Sequence, residues 1–326
     1  MFKNLMRNLC VSFAVLGLSS QCLHAQDFPK KPVRLIVGVP PGGAVDVMAR
    51  AIGAKLSEQW KQSVVVENRA GASEIIAAEY VARSAPDGHT LFVATEVPIE
   101  VNPFLFSKLP YDPKKDFATV TRLLEGPMMF AVINELPVTN MAEFIAHAKA
   151  NPGKVSYGSS GLGGQVHLAM AYLAQSTGTQ LIHVPYKGAA PAVQDMLSGS
   201  VQSTAVPVSL IGPHIQAGKV RAIGIAGAKR VKFLPNVSTL TEQGFADLDA
   251  SWALSVVAPA GTPIEIRRMI ANDIRRIIKD PQFEEVQFER FGFTSVGDTP
   301  EQFAAYLLKN QPIQAARVKA ANVKLD

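Results

Sequence analysis

Val33-Arg34-Leu35-Ile36-Val37-Gly38-Val39-Pro40-Pro41-Gly42-Gly43-Ala44-Val45-Asp46-Val47-Met48-Ala49-Arg50 passes from an apolar run, through two prolines and two glycines, into a helical pattern. The plain reading is strand, turn, helix. Pro40 and Pro41 stop the strand, the glycines reach backbone angles other residues avoid, and 44–56 reads as a helix. The N–H groups of Gly43, Ala44 and Val45 then have no partner inside that helix. With the helix dipole they form a place for an anion such as a carboxylate. A purely structural reading stands beside this one, in which Asp46 steadies the first turn and pairs with Arg50 one turn later.

Working outward, 64–67 is a short strand, 68–73 a turn, 74–84 a helix, and Pro86-Asp87-Gly88 a turn into the strand 90–94. Such alternation predicts an α/β fold with mostly parallel sheets flanked by helices. Ligands of such sheets sit beyond the carboxyl ends of the strands, where 40–45, 71–74, Thr95 and Glu96 fall. Residues 102–117, with Pro103, Pro110 and Pro113, read as a loop before a strand at 128–133 and a helix at 139–150. The strand 154–157 then opens into Gly158-Ser159-Ser160-Gly161-Leu162-Gly163-Gly164 and a helix at 165–176, which repeats the first design. Strands at 181–185, 201–206 and 220–226 and a helix at 190–198 follow. A strand at 252–258, a helix to 278, and a last helix capped at Thr299-Pro300-Glu301 complete the chain. Treating 128–133 and 252–258 as paired crossings divides the chain into 26–127, 128–250 and 251–326, the middle part being a second lobe inserted in the first. Hinged closure is the expected motion.

Residues 1–25 read as a secretory leader, with Lys3 and Arg7 in a basic start, an apolar run at 10–18 and an end at Leu23-His24-Ala25. The expected location is therefore the periplasm. Cys10 and Cys22 both fall in the leader, so the remaining chain is expected to hold no disulfide, thiol nucleophile or cysteine metal site. Loss of Lys3 and Arg7 would take the net charge from +5 to +3, and the basic residues are scattered along helices, which argues against nucleic-acid binding. Catalytic patterns fail on inspection. Leu162 breaks a G-x-S-x-G elbow, His89, His147, His167, His183 and His214 read as isolated, and Gly42-Gly43 lacks both a P-loop ending and a dinucleotide fingerprint. No metal and no cofactor is expected.

Read together, Pro40-Pro41-Gly42-Gly43 with Asp46 and Ala49-Arg50, Glu67-Asn68-Arg69-Ala70-Gly71-Ala72, Ala85-Pro86-Asp87-Gly88-His89-Thr90-Leu91, and Leu109-Pro110-Tyr111-Asp112-Pro113 with Asp116-Phe117 resemble a known family. Ala150-Asn151-Pro152-Gly153-Lys154, Tyr157-Gly158-Ser159-Ser160-Gly161, His183-Val184-Pro185-Tyr186-Lys187-Gly188 and Ala258-Pro259-Ala260-Gly261-Thr262-Pro263 continue the match across almost the whole chain. The chain resembles the periplasmic receptors of tripartite tricarboxylate transporters, also called Bug receptors. That resemblance implies a two-lobed Venus flytrap of the periplasmic-binding-protein architecture, a monomer that binds a small carboxylate and delivers it to a membrane permease. Carried over by position, it implies ligand contacts at Gly42, Gly43, Ala44, Val45 and Asp46 in one lobe. Ser159, Ser160, Gly161, Gly163 and Gly164 are the implied contacts in the other, with Thr95, Glu96, Ala205 and Val206 lining the cleft. Two departures stand out. Val206 holds the place where amino-acid-binding members tend to carry an acid, and Glu74-Ile75-Ile76 stands where glycines and an asparagine are common. If Val206 faces the cleft it offers an ammonium group no counter-charge, so the expected ligand is a di- or tricarboxylate, or an aromatic or keto acid, without a free amine. A sensor for a two-component system and a hydrolase using Ser159 or Ser160 are the alternatives.

Overall fold

The computed structural model describes residues 28–186, 188–227, 229–248 and 251–325; the expected leader lies outside them. In chain order, with helices of seven or more residues labelled, the elements are β1 (Val33–Val37), α1 (Ala44–Trp60), β2 (Val64–Asn68), α2 (Ile75–Ala82), β3 (Thr90–Thr95), β4 (Phe117–Gly126) and β5 (Met128–Ile133). There follow α3 (Met141–Ala150), β6 (Val155–Ser159), α4 (Gln165–Thr177), β7 (Leu181–Pro185), α5 (Ala189–Leu197), β8 (Ser203–Pro207), α6 (Val208–Gln216) and β9 (Val220–Ala226). The chain closes with β10 (Trp252–Pro259), α7 (Ile264–Ile278), α8 (Pro281–Gln287), β11 (Thr294–Ser295) and α9 (Pro300–Ala321).

Two sheets result. One has the order β11-β4-β10-β3-β1-β2, the other β7-β6-β8-β5-β9. In the first, β1 to β4 share one direction and β10 and β11 oppose it; in the second, only β5 opposes the rest. The expected parallel frame is present, with an antiparallel strand threaded through each sheet. β1 and β3 are buried almost throughout, as strands covered by helices on both faces must be. Apolar clusters pack on both sides of the first sheet, one under α1 and α7 and one under α2, and a single large cluster serves the second sheet.

The chain passes from β4 to β5 through Pro127, and Trp252 at the start of β10 pairs with Gly126. A Cβ on Gly126 would meet the Trp252 ring at 1.9 Å, so only glycine admits the indole at this crossing. β10 pairs with β4 and β3, all within the first sheet, and β4 is a strand the sequence reading passed over. The reason is Arg122, which interrupts the apolar pattern of β4, stacks over Tyr306 at 3.6 Å and pairs with Asp298 at 2.5 Å. The 102–117 loop likewise contains short helical turns at Asn102–Leu105 and Pro113–Asp116.

Candidate functional site

The first glycine turn folds as its residues dictate. Gly42 takes φ 87°, and Gly43 precedes α1 in an extended conformation with no side-chain cap. The N–H groups of the first helical turn are thus left without helix partners. Asp46 is not one of the groups offered to a ligand. Its carboxylate is buried and accepts from the Gly42 N–H at 2.9 Å, from Arg50 Nε at 3.0 Å and from Asn68 Nδ2 at 2.8 Å. The Arg50 hydrogen bond, ahead of those from Gly42 and Asn68, holds the Asp46 carboxyl down at about 2 against the opposing effect of burial. The structural reading of Asp46 and Arg50 holds, and Asp46 serves by fixing the turn. Val45 packs into the core, so only its main chain faces outward.

The second turn is built differently from the expectation. Gly161 N–H donates to Ser159 Oγ at 3.1 Å, Gly163 N–H to His167 Nδ1 at 3.1 Å and Gly164 N–H to the Gly161 carbonyl at 3.3 Å. These three donors are used inside the loop. What the turn presents is the uncapped start of α4 and the half-buried Ser160, whose Oγ lies against Gly164. Ser159 is fully buried, and its hydroxyl meets His183 Nε2 at 2.6 Å. His183 stacks on His167 at 4.0 Å and on Tyr157 at 4.8 Å, so these two histidines are not isolated as the sequence suggested. The parallel register that sets His183 beside Tyr157 joins residues from separate strands, which local spacing does not reveal. Burial, aided by His167, pushes His183 down to about 4, so it is neutral at ordinary pH.

Between the turns lies Glu96, at the end of β3. It is 5% exposed, and its two oxygens accept from the Gln165 side-chain amide at the start of α4 and from the Ala253 N–H at 3.0 Å. One carboxyl thus ties the first sheet, the second unit's α4 and the returning strand β10. Burial raises its pKa, opposed by those hydrogen bonds and by the Arg317 charge. Thr95 donates its hydroxyl to Glu74, a residue the sequence reading marked only as a departure. Glu100 is pushed up to about 7 by burial, with Asn310 on one oxygen.

Ala205 and Val206 do not line the cleft with their side chains. Both are fully buried in the core of the second sheet, where β8 pairs with β5. The argument from Val206 to an amine-free ligand therefore loses its geometric basis. A cavity of about 380 Å³ opens instead between the units, lined by Gly42, Ala44 and Met48 on one side, Ser209 and Leu210 of α6 on the other, and Phe291 and Phe293. The sequence reading missed α6, whose Pro213 reads as a helix breaker, and with it this wall.

Comparison with known proteins gives this geometry its context. The model of the tripartite tricarboxylate transporter family receptor matches residues 48–320. The chain belongs to this family. Protein BugT of Bordetella pertussis is 32% identical over 316 residues, covering 97% of this chain and 96% of its own. Among solved structures, R. palustris Rpa4515 with adipate superposes with a TM-score of 0.76 at 32% identity, covering 91% of this chain and 99% of the other. MatC from Rhodopseudomonas palustris with bound malate gives 0.72 at 27% identity, covering 89% and 100%. The protein is a family receptor with the two-lobed α/β fold of periplasmic binding proteins. None of its described helices is long and apolar enough to cross a membrane.

Proposed function

We propose that this receptor acts in the periplasm, closing its two lobes on a small carboxylate and delivering it to a membrane permease of the tripartite tricarboxylate type. The observation that carries this reading is the cavity of about 380 Å³ shared by the uncapped start of α1 and by α6 of the other unit. Its volume suits a small ligand, and its position lets one helix terminus take the anion. Met48, Leu210, Phe291 and Phe293 offer apolar surface to the rest of the molecule. A di- or tricarboxylate, an aromatic acid or a keto acid meets both demands. The relatives bound to adipate and malate support the carboxylate class. The lobes are drawn at 26–127 with 251–326, and at 128–250, and the receptor works as a monomer.

Calorimetry of amine-free acids against amino acids tests this reading. Binding of at least one acid, with the acid recovered intact, is the expected result. Silence toward every acid, or a product seen by mass spectrometry, would overturn it. The Ser159 Oγ to His183 Nε2 contact is the one observation favouring a hydrolase. Against it stand the complete burial of Ser159 and a second histidine, His167, stacked on His183. Co-purification with a permease, as opposed to a sensor kinase, distinguishes delivery from sensing.

A further inference from the structure

Ala72, Ser73 and Glu74 take φ values of 46°, 51° and 66°, three consecutive residues with side chains in the left-handed region. Side chains disfavour that region, and runs of this kind persist where the surrounding fold holds them for a purpose. Here the result is to fold Glu74 back over the carboxyl ends of β1 and β3. Its stem fills the space above Gly38, where an added Cβ would meet Glu74 Cγ at 2.6 Å, and its Oε1 accepts from the Thr95 hydroxyl. Carboxyl ends of strands are where α/β sheets receive ligands.

Glu74 is 6% exposed, and its Oε2 is buried with no hydrogen-bond partner among the described residues. An ionised carboxylate in that position would be costly, whereas a neutral acid would carry on Oε2 an O–H that no described residue is placed to receive. The neighbours favour the neutral form. Glu96 lies close enough to repel a charge on Glu74, and Tyr111 feels that charge in turn. Arg122 and Arg317 act on Glu100, and Arg317 on Glu96, while Asn102 spends its amide on the Ser73 carbonyl. Burial first, and Glu96 in addition, push Glu74 up to about 7. On Glu96's far side, Gln165 likewise leaves its buried Oε1 without a partner among the described residues, so two buried polar atoms beside this pair await a partner.

We propose that Glu74 is a specificity-determining residue, a neutral acid whose Oε2–H donates to an anionic oxygen of the bound carboxylate, so that capture is coupled to one proton held on the receptor. This rests on the carboxylate-receptor reading above. The proton stays on Glu74 and only a hydrogen bond forms. When Glu74 ionises, it repels the same oxygen. Affinity for an acid dianion is therefore full below about pH 7 and falls about tenfold per pH unit above it. A ligand held through an ammonium group would show the opposite slope.

The test is calorimetry with malate, adipate and benzoate at about pH 6 and about pH 8.5, on the parent, Glu74→Gln and Glu74→Gly. Circular dichroism of each variant confirms the fold. The parent is expected to lose about thirtyfold in affinity for the acid it binds between the two conditions. Glu74→Gln keeps a donor but cannot ionise, so its affinity stays near the parent's low-pH value at both. Glu74→Gly relaxes the left-handed backbone and binds more weakly than the parent at low pH, without a slope. Parent affinity that is flat or rises with pH, or a Gln variant with the parent's slope, overturns the role of Glu74 alone. Failure of these three and of every other amine-free acid to bind the parent overturns the receptor reading and this inference with it.

Discussion

A carboxylate introduced at residue 43 would stand where the first turn receives an anion. Gly43 has φ −78°, and an added Cβ would find only the Pro40 carbonyl, at 3.9 Å, so the fold has room for the change. Gly43→Glu should therefore abolish acid binding by like-charge repulsion at the start of α1 while the thermal melt barely moves. Calorimetry beside a melt checks this, and undiminished affinity would make the turn purely structural. Asp46 supplies a second expectation. Its pKa is lowered from 3.8 to about 2, so its contribution to stability is whole above 3.8 and is lost as pH falls toward about 2. Asp46→Asn should flatten the acid limb of a melting-temperature profile, and a limb unchanged in shape would refute the assignment. The pairing of Asp46 with Arg50 was legible because one helical turn separates them. Asn68 was not, since only the pairing of β1 with β2 brings it to Asp46. Val206 misled for a related reason: β8 is covered on both faces, so its alternate side chains from Ser203 to Val206 are all buried, which local sequence does not reveal.

Among elements, β6 and α4 show how a turn can be right in outline and wrong in its donors. Strand, glycine turn and helix stand where the sequence placed them, yet the loop consumes its own glycine N–H groups, leaving the start of α4 open. The two serines consequently part company. Ser159→Ala strips partners from the Gly161 N–H and from His183, and should cost about 1–3 kcal/mol of stability. Ser160→Ala should leave stability alone and weaken acid binding by about 1.5–3 kcal/mol if its hydroxyl meets the anion. Chemical denaturation and calorimetry on both variants decide it; the reverse pattern would exchange their roles. The elements that escaped the sequence reading share a cause. β4 carries Arg122 in its middle and α6 carries Pro213, and each local exception is compensated by contacts remote in sequence: Asp298 and Tyr306 for the first, and Phe233 packing against the helix at Gly212 for the second.

For the whole molecule, the decisive question is what holds the two units together before a ligand arrives. Several contacts cross between them in the described structure: the Gln165 amide on Glu96, the exposed ion pair of Lys232 with Glu289, Val231 and Phe233 against Gly292, and a small apolar cluster in which Leu168 of α4 meets Val101, Leu105 and Val318. The apolar cluster sits beside the polar contact, because Gln165 and Leu168 lie one turn apart on α4. Leu168 can slide against its apolar neighbours as the lobes rotate, since dispersion has little directionality. The hydrogen bond cannot, and it should therefore set the balance between open and closed forms. Gln165→Ala removes it, leaving Glu96 with the Ala253 N–H, and should shift the ligand-free receptor toward the open form by about 1–3 kcal/mol. Apparent acid affinity then falls with the closed population, by about fivefold or more. Trp252 reports the change, since it packs on Gly126 at the crossing and against Phe293 at 5.4 Å. Trp60, the other tryptophan, is held within the first unit by Asp273 at 2.6 Å and can be replaced by phenylalanine to leave a single signal. The expected outcome is a larger radius of gyration for Gln165→Ala in small-angle scattering, a shifted Trp252 emission, and recovery of both on saturation with ligand. Scattering and emission identical to the parent would place the closing force in the remaining contacts, the apolar cluster and the side of the interface where Lys232 meets Glu289.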